Sequence, residues 1–201
     1  LATCRTCGRS AAEYYGWTVI QDTAWEGYEE IPTRIMQGYM TMGLEAHEQM
    51  PEKPTHIFLQ AGVGSMAGAM TGLFSQIWAE ERPVIVIVEP NKADCLFRTA
   101  QADDGRLHFV TGDMDTIMAG LACGEPCSIA WEVLSACADH FLSVPEYAAA
   151  KGMRILGNPA GNDDRVISGE SDASAFGAVA AIMTEPELAP IRETLELDQN
   201  S

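Results

Sequence analysis

The stretch "HIFLQAGVGSMAG", from His56 to Gly68, decides the fold of this chain. An apolar segment runs into a turn with glycine at positions 62 and 64, and small residues that suit a helix follow. Absent side chains let backbone N–H groups approach an anion, and a helix N-terminus presents its positive dipole end to that anion. The segment therefore predicts a strand, a phosphate-binding turn and a helix.

The segments after this turn alternate between strand and helix. The pattern predicts strand 55–60, helix 65–80, strand 84–88 and helix 93–100. These strands are continuous apolar runs, which is typical of strands buried on both faces of a parallel sheet. The predicted fold class is therefore α/β, with a parallel sheet covered by helices. Further along, the pattern predicts a strand at 107–110 and helices at 115–121, 129–142 and 173–183. Ser168 or Ser171 is expected to cap the last helix.

The N-terminal part has a different pattern. We expect a helix to end at Tyr15 and a short strand at 17–20 to lead into Asp22. Apolar residues at spacings of three and four predict an amphipathic helix from 32 to 50. The polar connector "PEKP" at 51–54 predicts a boundary, with residues 1–54 in a smaller lobe and 55–201 in a larger domain.

The composition disfavours several classes of protein. With 201 residues, 47% of them hydrophobic, the chain can bury a substantial core. Its net charge of -17 disfavours binding to nucleic acid or to an anionic membrane. No apolar run approaches the ~20 residues that span a bilayer, and no pattern directs export, so a cytoplasmic protein is expected.

The 6 cysteines are too few for a disulfide-dense scaffold, and reduced thiols are expected. Cys4 and Cys7 have the spacing of a zinc knuckle but lack a matching second pair, so no metal site is predicted. Cys95 and Cys123 follow segments that lead to the ligand side of the sheet, where a disulfide is one interpretation. Two separate buried thiols are the favoured one.

The chemistry of the glycine turn leaves its ligand open. Gly62, Gly64 and Ala67 satisfy the G-x-G-x-x-A pattern of a dinucleotide site, and Glu89 ends the next strand, where an acid that binds ribose belongs. This interpretation predicts a nicotinamide-dependent oxidoreductase. Pyridoxal phosphate needs the same turn for its single phosphate, and a tight turn without a ligand is the third alternative.

Longer strings around the turn resemble one family, diaminopropionate ammonia-lyase, of the tryptophan-synthase-β-like (fold-type II) pyridoxal phosphate enzymes. These strings are "VIQDTAWEGYEEIPTRIMQGY" (19–39), "PTHIFLQAGVGSMAGA" (54–69), "VEPNKADC" (88–95), "GDMDTIMAGLACGEP" (112–126) and "GMRILGNPAGNDDRVISGES" (152–171). The resemblance extends from about Gly16 to the end of the chain. It implies a homodimeric lyase of amino-acid catabolism that splits 2,3-diaminopropionate into pyruvate and ammonia.

The resemblance also implies roles for particular residues. The phosphate-binding turn of the family matches Gly62, Val63, Gly64, Ser65 and Met66, with the Ser65 hydroxyl and backbone N–H groups as anchors. A valine at position 64 is expected to fill the space through which the backbone approaches the phosphate. In the segment 168–171, Glu170 is expected to lie beside the cofactor ring.

Asp22 matches the carboxylate that the family uses as a base on the L-substrate. We expect it to face the glycine turn across the cleft, shielded by Trp17, Trp25 and Tyr28, with a raised pKa that suits a general base. A turn or helix cap is the alternative role for an aspartate in this position.

The three lysines, Lys53, Lys92 and Lys151, lie in polar connectors or at helix edges. The family's Schiff-base lysine belongs to an early strand–helix unit, so the resemblance implies that this lysine lies outside the chain. The partner of the pyridine nitrogen and a second catalytic carboxylate are expected outside it as well. The chain is therefore expected to be a portion of a longer enzyme, and inactive alone.

Overall fold

Three parallel strands form a sheet with helices on both faces. The computed structural model describes residues 2–199 and 201, without the side chains of residues 2–7 and 9. The helices and strands are α1 (Ala2–Tyr15), α2 (Glu30–Gln49), β1 (His56–Gln60), α3 (Ser65–Trp78), β2 (Val84–Pro90), α4 (Cys95–Ala102), α5 (Ser128–Cys137), β3 (His140–Val144), α6 (Glu146–Gly157), α7 (Ala173–Thr184) and α8 (Ala189–Thr194).

The strand order is β1-β2-β3, so β2 is the central strand. Its register places Val84 opposite His56 on one side and Val86 opposite His140 on the other. Residues 85–88 of β2 have 0% exposure. The continuous apolar run is explained by burial on both faces, and the predicted α/β class is confirmed.

Successive residues of β2 pack into different parts of the core. Ile85 and Ile87 belong to a cluster with residues of α3, α4 and α5. Val86 and Val88 belong to clusters with residues of α6, α7 and the segment after α8. This alternation follows from the period of two along a strand, which sends neighbouring side chains to opposite faces.

Helices α6 and α7 pack with their backbones in contact, through glycine on each helix. A Cβ atom on Gly152 would collide with the carbonyl oxygen of Ala173, and one on Gly177 would collide with that of Ala148. Only glycine lets the helix axes approach this closely.

Helix α2, predicted from its amphipathic pattern, packs on α3. A Cβ atom on Gly43 would meet Leu73 Cδ2 at 2.6 Å and Met70 Sδ at 2.9 Å. None of the helices within residues 2–199 combines the length and the apolar character that crossing a membrane requires.

Two segments predicted as strands are not strands. Residues 17–20 have no regular structure, and the chain there is held by the Tyr28 hydroxyl, which donates a hydrogen bond to the Val19 carbonyl at 2.8 Å. Residues 107–110 are also irregular, and the Val110 N–H donates to the carbonyl of Gly124 at 2.8 Å. A strand needs a neighbouring strand, and the sheet in the described residues provides none at either place.

The helices predicted at 115–121 and 129–142 are also wrong in extent. The first is reduced to the 3₁₀ turn Ala119–Leu121. The second ends at Cys137, and β3 begins at His140. Between them the Asp139 carboxylate accepts a hydrogen bond from the Ile85 N–H at 2.8 Å, which ties the chain to β2. A short apolar run suits either structure, and pairing with β2 decides it.

Candidate cofactor and substrate site

A cleft of about 850 Å³ opens at the carboxyl end of β1. Ligands of parallel α/β sheets bind at this edge. The glycine turn, the segment around Asp22 and two later loops line the cleft, and the lining residues include Gly62, Val63, Gly64, Ser65 and Met66. The structure therefore brings the predicted base and the predicted phosphate-binding turn into one cavity.

The glycine turn has the geometry of an anion-binding site. Gly64 lies in the left-handed region, with φ +98°, and α3 begins at the next residue. The N–H groups of the first helical turn have no carbonyl partner within the helix until Gly68 donates to the Gly64 carbonyl at 2.7 Å. The N–H groups before it are available to a phosphate, and the residues present fit such a group.

The reason expected for glycine at position 64 is wrong. A Cβ atom on Gly64 would meet Leu134 Cδ1 and Leu96 Cδ1 at 3.2 Å each. A side chain there would point into the core, and the phosphate space would stay open. Glycine is required by the positive φ and by this close packing.

The Ser65 hydroxyl connects the turn to the predicted base. It is 1% exposed and donates a hydrogen bond to the backbone carbonyl of Asp22 at 2.8 Å. Asp22 and Ser65 are thus neighbours on one wall of the cleft.

The Asp22 carboxylate also affects two other groups of the cleft. Burial raises the pKa of the Tyr39 hydroxyl, and the negative charge of Asp22 adds to this increase. Burial raises the pKa of the Cys123 thiol, again with a contribution from Asp22. Neutral Tyr39 and Cys123 are therefore favoured beside the carboxylate.

The aromatic shield around Asp22 is only partly as expected. Trp25 and Tyr28 stack with ring centroids 4.2 Å apart, and the Gln21 N–H donates to the Tyr28 hydroxyl at 3.0 Å. Trp17 is instead 66% exposed and stacks on Tyr15, so it does not shield the carboxylate.

Gln21 and Tyr39 are cleft residues that sequence reasoning missed. The amide nitrogen of Gln21 is buried and has no hydrogen-bond partner within the described part of the chain. Such a donor fits a polar ligand. Tyr39 fits the apolar spacing that predicts the helix at 32–50, and no local pattern distinguishes a cleft tyrosine from a core tyrosine.

The segment around Glu170 lies at the edge of the cleft. The Ser171 hydroxyl accepts a hydrogen bond from the Gly120 N–H at 3.1 Å, and the Asp172 carboxylate accepts one from Gln60 Nε2 at 3.5 Å. Gly120 and Gln60 line the cleft, whereas Glu170 is not among its lining residues. The predicted serine caps of α7 are wrong, because Asp172 precedes the helix and no side chain caps it.

Glu89 has a structural partner in place of a ribose. It has 0% exposure, and its carboxylate accepts hydrogen bonds from the N–H groups of Leu96 at 3.0 Å and Phe97 at 2.6 Å. Burial raises its pKa to about 8, against the opposite effect of these two donors. Glu89 thus holds the start of α4, and the role expected for it in a dinucleotide site is wrong.

Four cysteines in the described part of the chain are free thiols: Cys95, Cys123, Cys127 and Cys137. The favoured interpretation of Cys95 and Cys123 as separate thiols agrees with this. The side chains of Cys4 and Cys7 lie outside the described residues.

Comparison with known protein families identifies the class of protein to which this fold and this cleft belong. The family model for pyridoxal-phosphate dependent enzymes matches residues 2–190. The chain therefore belongs to the family of pyridoxal-phosphate dependent enzymes.

Particular relatives within this family are diaminopropionate ammonia-lyases. The chain is 51% identical over 193 residues to that of Escherichia coli strain K12, a match that covers 94% of this chain and 48% of the relative. It is 49% identical over 195 residues to that of Salmonella typhimurium, with the same coverage. The chain spans about half the length of these curated relatives.

A solved structure agrees with the sequence comparison. The selenomethionine-incorporated holo diaminopropionate ammonia lyase from Escherichia coli has a TM-score of 0.90 and 46% identity, and the match covers 98% of this chain and 49% of that one. The predicted resemblance and fold class are confirmed. These relatives give no support to the nicotinamide-dependent alternative.

Proposed function

We propose that the full-length protein is a pyridoxal phosphate-dependent carbon–nitrogen lyase that converts 2,3-diaminopropionate and water into pyruvate and two molecules of ammonia. One observation carries the proposal: the Ser65 hydroxyl joins the glycine turn to the backbone of Asp22 at 2.8 Å, inside a cleft large enough for cofactor and substrate. The sequence relationship to diaminopropionate ammonia-lyases supports the same substrate class.

The glycine turn would bind the cofactor's phosphate. Backbone N–H groups at 62–66 and the start of α3 supply donors and a positive dipole end, and the turn adds no negative side chain to the site. When bound, pyridoxal phosphate withdraws electrons from the Cα of an amino acid and so acidifies its Cα–H bond.

Asp22 would accept the Cα proton of the L-substrate. Its neighbours Tyr39 and Cys123 stay protonated because their pKa values are raised, so no second anion from these groups competes with the carboxylate. The partly buried Gln21 amide is a donor available to the substrate in the same cavity. Departure of the β-amino group then completes the elimination.

Glu170 would lie near the cofactor ring. The hydrogen bond between Ser171 and Gly120 supports this, because it holds the 168–172 segment at the cleft edge.

The lysine that holds the cofactor would come from another part of the full-length protein. Lys53 binds Glu81, Lys92 binds Glu146 and Lys151 binds Glu185, each at 3.4 Å or less. None of the three lines the cleft. The chain by itself would therefore be inactive.

We also infer a cytoplasmic homodimer with residues 1–54 in a smaller lobe and 55–201 in the larger domain. The 6 cysteines in 201 residues, too few for a disulfide-dense scaffold, support a reducing compartment. Sedimentation of the full-length protein tests the dimer, and limited proteolysis tests whether cleavage falls at 51–54.

The test of the function is product analysis with purified full-length protein and pyridoxal phosphate. The expected result is ammonia and pyruvate in a ratio of two to one, from 2,3-diaminopropionate and only when cofactor is present. Hydride transfer to a nicotinamide without ammonia release would contradict the proposal.

A further inference from the structure

The backbone carbonyl of Asp22 accepts hydrogen bonds from two side chains. The Ser65 hydroxyl donates at 2.8 Å, and the Cys127 thiol donates at 3.6 Å from the start of α5. Asp22 lies in an irregular segment between α1 and α2, where no strand ladder fixes the chain. Hydrogen bonds from side chains to the backbone therefore help to order the chain at Asp22.

Cys127 makes two further contacts that reach both sides of the site. Its sulfur accepts a hydrogen bond from the Ala24 N–H at 3.2 Å, and its own N–H donates to the carbonyl of Val63, in the glycine turn, at 2.8 Å. The residue has 0% exposure. The Cys127 side chain thus hydrogen-bonds to the backbone at Asp22 and again at Ala24, two positions later. The Cys127 backbone is bonded to the predicted phosphate-binding turn.

We propose that Cys127 is a positioning residue for Asp22, an inference that rests on the proposed function. A general base works only within hydrogen-bond reach of the proton that it accepts, and a displacement of about 1 Å can cost about 10²-fold in rate. The thiol holds the backbone that carries Asp22 and does not touch the substrate. Loss of the thiol leaves the Ala24 N–H buried without an acceptor and the Asp22 carbonyl with one donor in place of two.

A purely structural role is the alternative, because Cys127 also packs with Ala24 and Ala130 in a small apolar cluster. A structural role predicts equal losses for every reaction of the enzyme. A positioning role predicts a loss confined to the reaction that uses Asp22.

The test compares Cys127→Ala, Cys127→Ser and the control Cys137→Ala in the full-length protein. Serine keeps a hydrogen-bond donor and acceptor at position 127, so Cys127→Ser should retain part of the turnover of the L-substrate that Cys127→Ala loses. Cys137 is a thiol at the other end of the same helix, away from the cleft, and its removal should leave turnover unchanged.

For Cys127→Ala we expect kcat on the L-substrate to fall about 10-fold with KM within about two-fold, and turnover of the D-substrate to change less than about two-fold. Amide hydrogen exchange, measured without substrate, should become faster in residues 21–25 and stay the same in β2. In an Asp22→Asn background the Cys127 substitution should have no further effect on the L-substrate.

Several results would overturn the inference. These are equal losses on both enantiomers, unchanged exchange at 21–25, and additive effects of the two substitutions. If Cys127→Ala does not fold, Cys127→Ser decides: a loss of kcat confined to the L-substrate with faster exchange in residues 21–25 supports the inference, and equal losses on both enantiomers or no loss on either overturn it. A wild-type protein that releases no pyruvate would instead overturn the proposed function.

Discussion

At the scale of single residues, Asp22 combines a charged side chain with a backbone that the neighbouring glycine turn holds in place. Ser65 and Cys127 contact its carbonyl oxygen and leave its carboxylate to the cleft. The hydrogen bonds therefore fix the position of the residue without neutralising its charge.

Asp22→Asn keeps the shape of the side chain and removes its basicity. In the full-length protein, pyruvate release from the L-substrate should fall by about 10²–10⁴-fold, while the D-substrate, which needs a base on the other face of Cα, should lose less. The control is Glu26→Gln, an exposed carboxylate four residues later. Equal losses on the two enantiomers would give Asp22 a structural role, and no loss would place the base elsewhere.

The buried carboxylate of Glu89 is expected to make the stability of the folded protein depend on pH. Its pKa rises from 4.5 to about 8 because the folded protein buries it. Between these values the folded state keeps a proton that the unfolded state has released, so the stability associated with this group is complete below pH 4.5 and is lost as the pH rises toward 8. The loss should approach about 1 kcal/mol per pH unit in the middle of this range.

Urea denaturation of the full-length protein and its Glu89→Gln variant between pH 5 and pH 8 measures this effect. The difference between their unfolding free energies should change with pH, whereas Glu80→Gln, an exposed control, should run parallel to the wild type. A pH-independent difference for Glu89→Gln would show that the two N–H donors keep Glu89 ionised throughout.

At the scale of elements, alanine substitutions at Gly64 and Gly38 are expected to have opposite effects on stability. Gly64→Ala forces a left-handed φ on alanine and places its Cβ 3.2 Å from two leucines, so it should destabilise the protein by about 1–3 kcal/mol. A Cβ on Gly38, in helix α2, meets nothing within 4 Å, so Gly38→Ala should stabilise by about 0.5–1 kcal/mol. Thermal unfolding measures both, and a stabilised Gly64→Ala would contradict the turn geometry.

The contact between α6 and α7 gives a second prediction at this scale. Gly177→Ala would drive a Cβ into the Ala148 carbonyl and separate the helices, with a cost of about 3 kcal/mol or more. Gly157→Ala, at the end of α6 where nothing lies within 4 Å, is the matched control. Similar unfolding temperatures for the two variants would show that the helices can move apart without loss.

Local pattern predicted the elements around the glycine turn and failed where distant partners decide the structure. Continuous apolar runs suffice for β1 and β2, and amphipathic spacing suffices for α2. The segment 140–144 is apolar enough for helix or strand, and only its pairing with β2 makes it β3. Of the site, the turn and Asp22 could be predicted from their resemblance to a family, but the thiol of Cys127 is far from Asp22 in sequence and has no local signature.

At the scale of the whole molecule, the described chain contains the candidate phosphate turn and base but no lysine in the cleft. Residues 1–201 expressed alone with pyridoxal phosphate should release no pyruvate above background, whereas the full-length protein should. Absorbance spectra of both proteins with cofactor provide the second measurement. Turnover by the isolated chain would show that one of its own lysines holds the cofactor.

The hydrogen bond from Ser65 to Asp22 has a thermodynamic consequence for the molecule as a whole. A serine hydroxyl carries one proton, and the Asp22 carbonyl already receives it at 2.8 Å. A phosphate group that accepted this hydrogen bond would leave the Asp22 carbonyl with the Cys127 thiol as its donor. By reciprocity, a stronger hydrogen bond from Ser65 to the carbonyl would weaken the binding of the phosphate by the same free energy. In the proposed enzyme, cofactor binding by Ser65 and the order of the segment that carries Asp22 would therefore oppose each other, because both depend on the same hydroxyl proton.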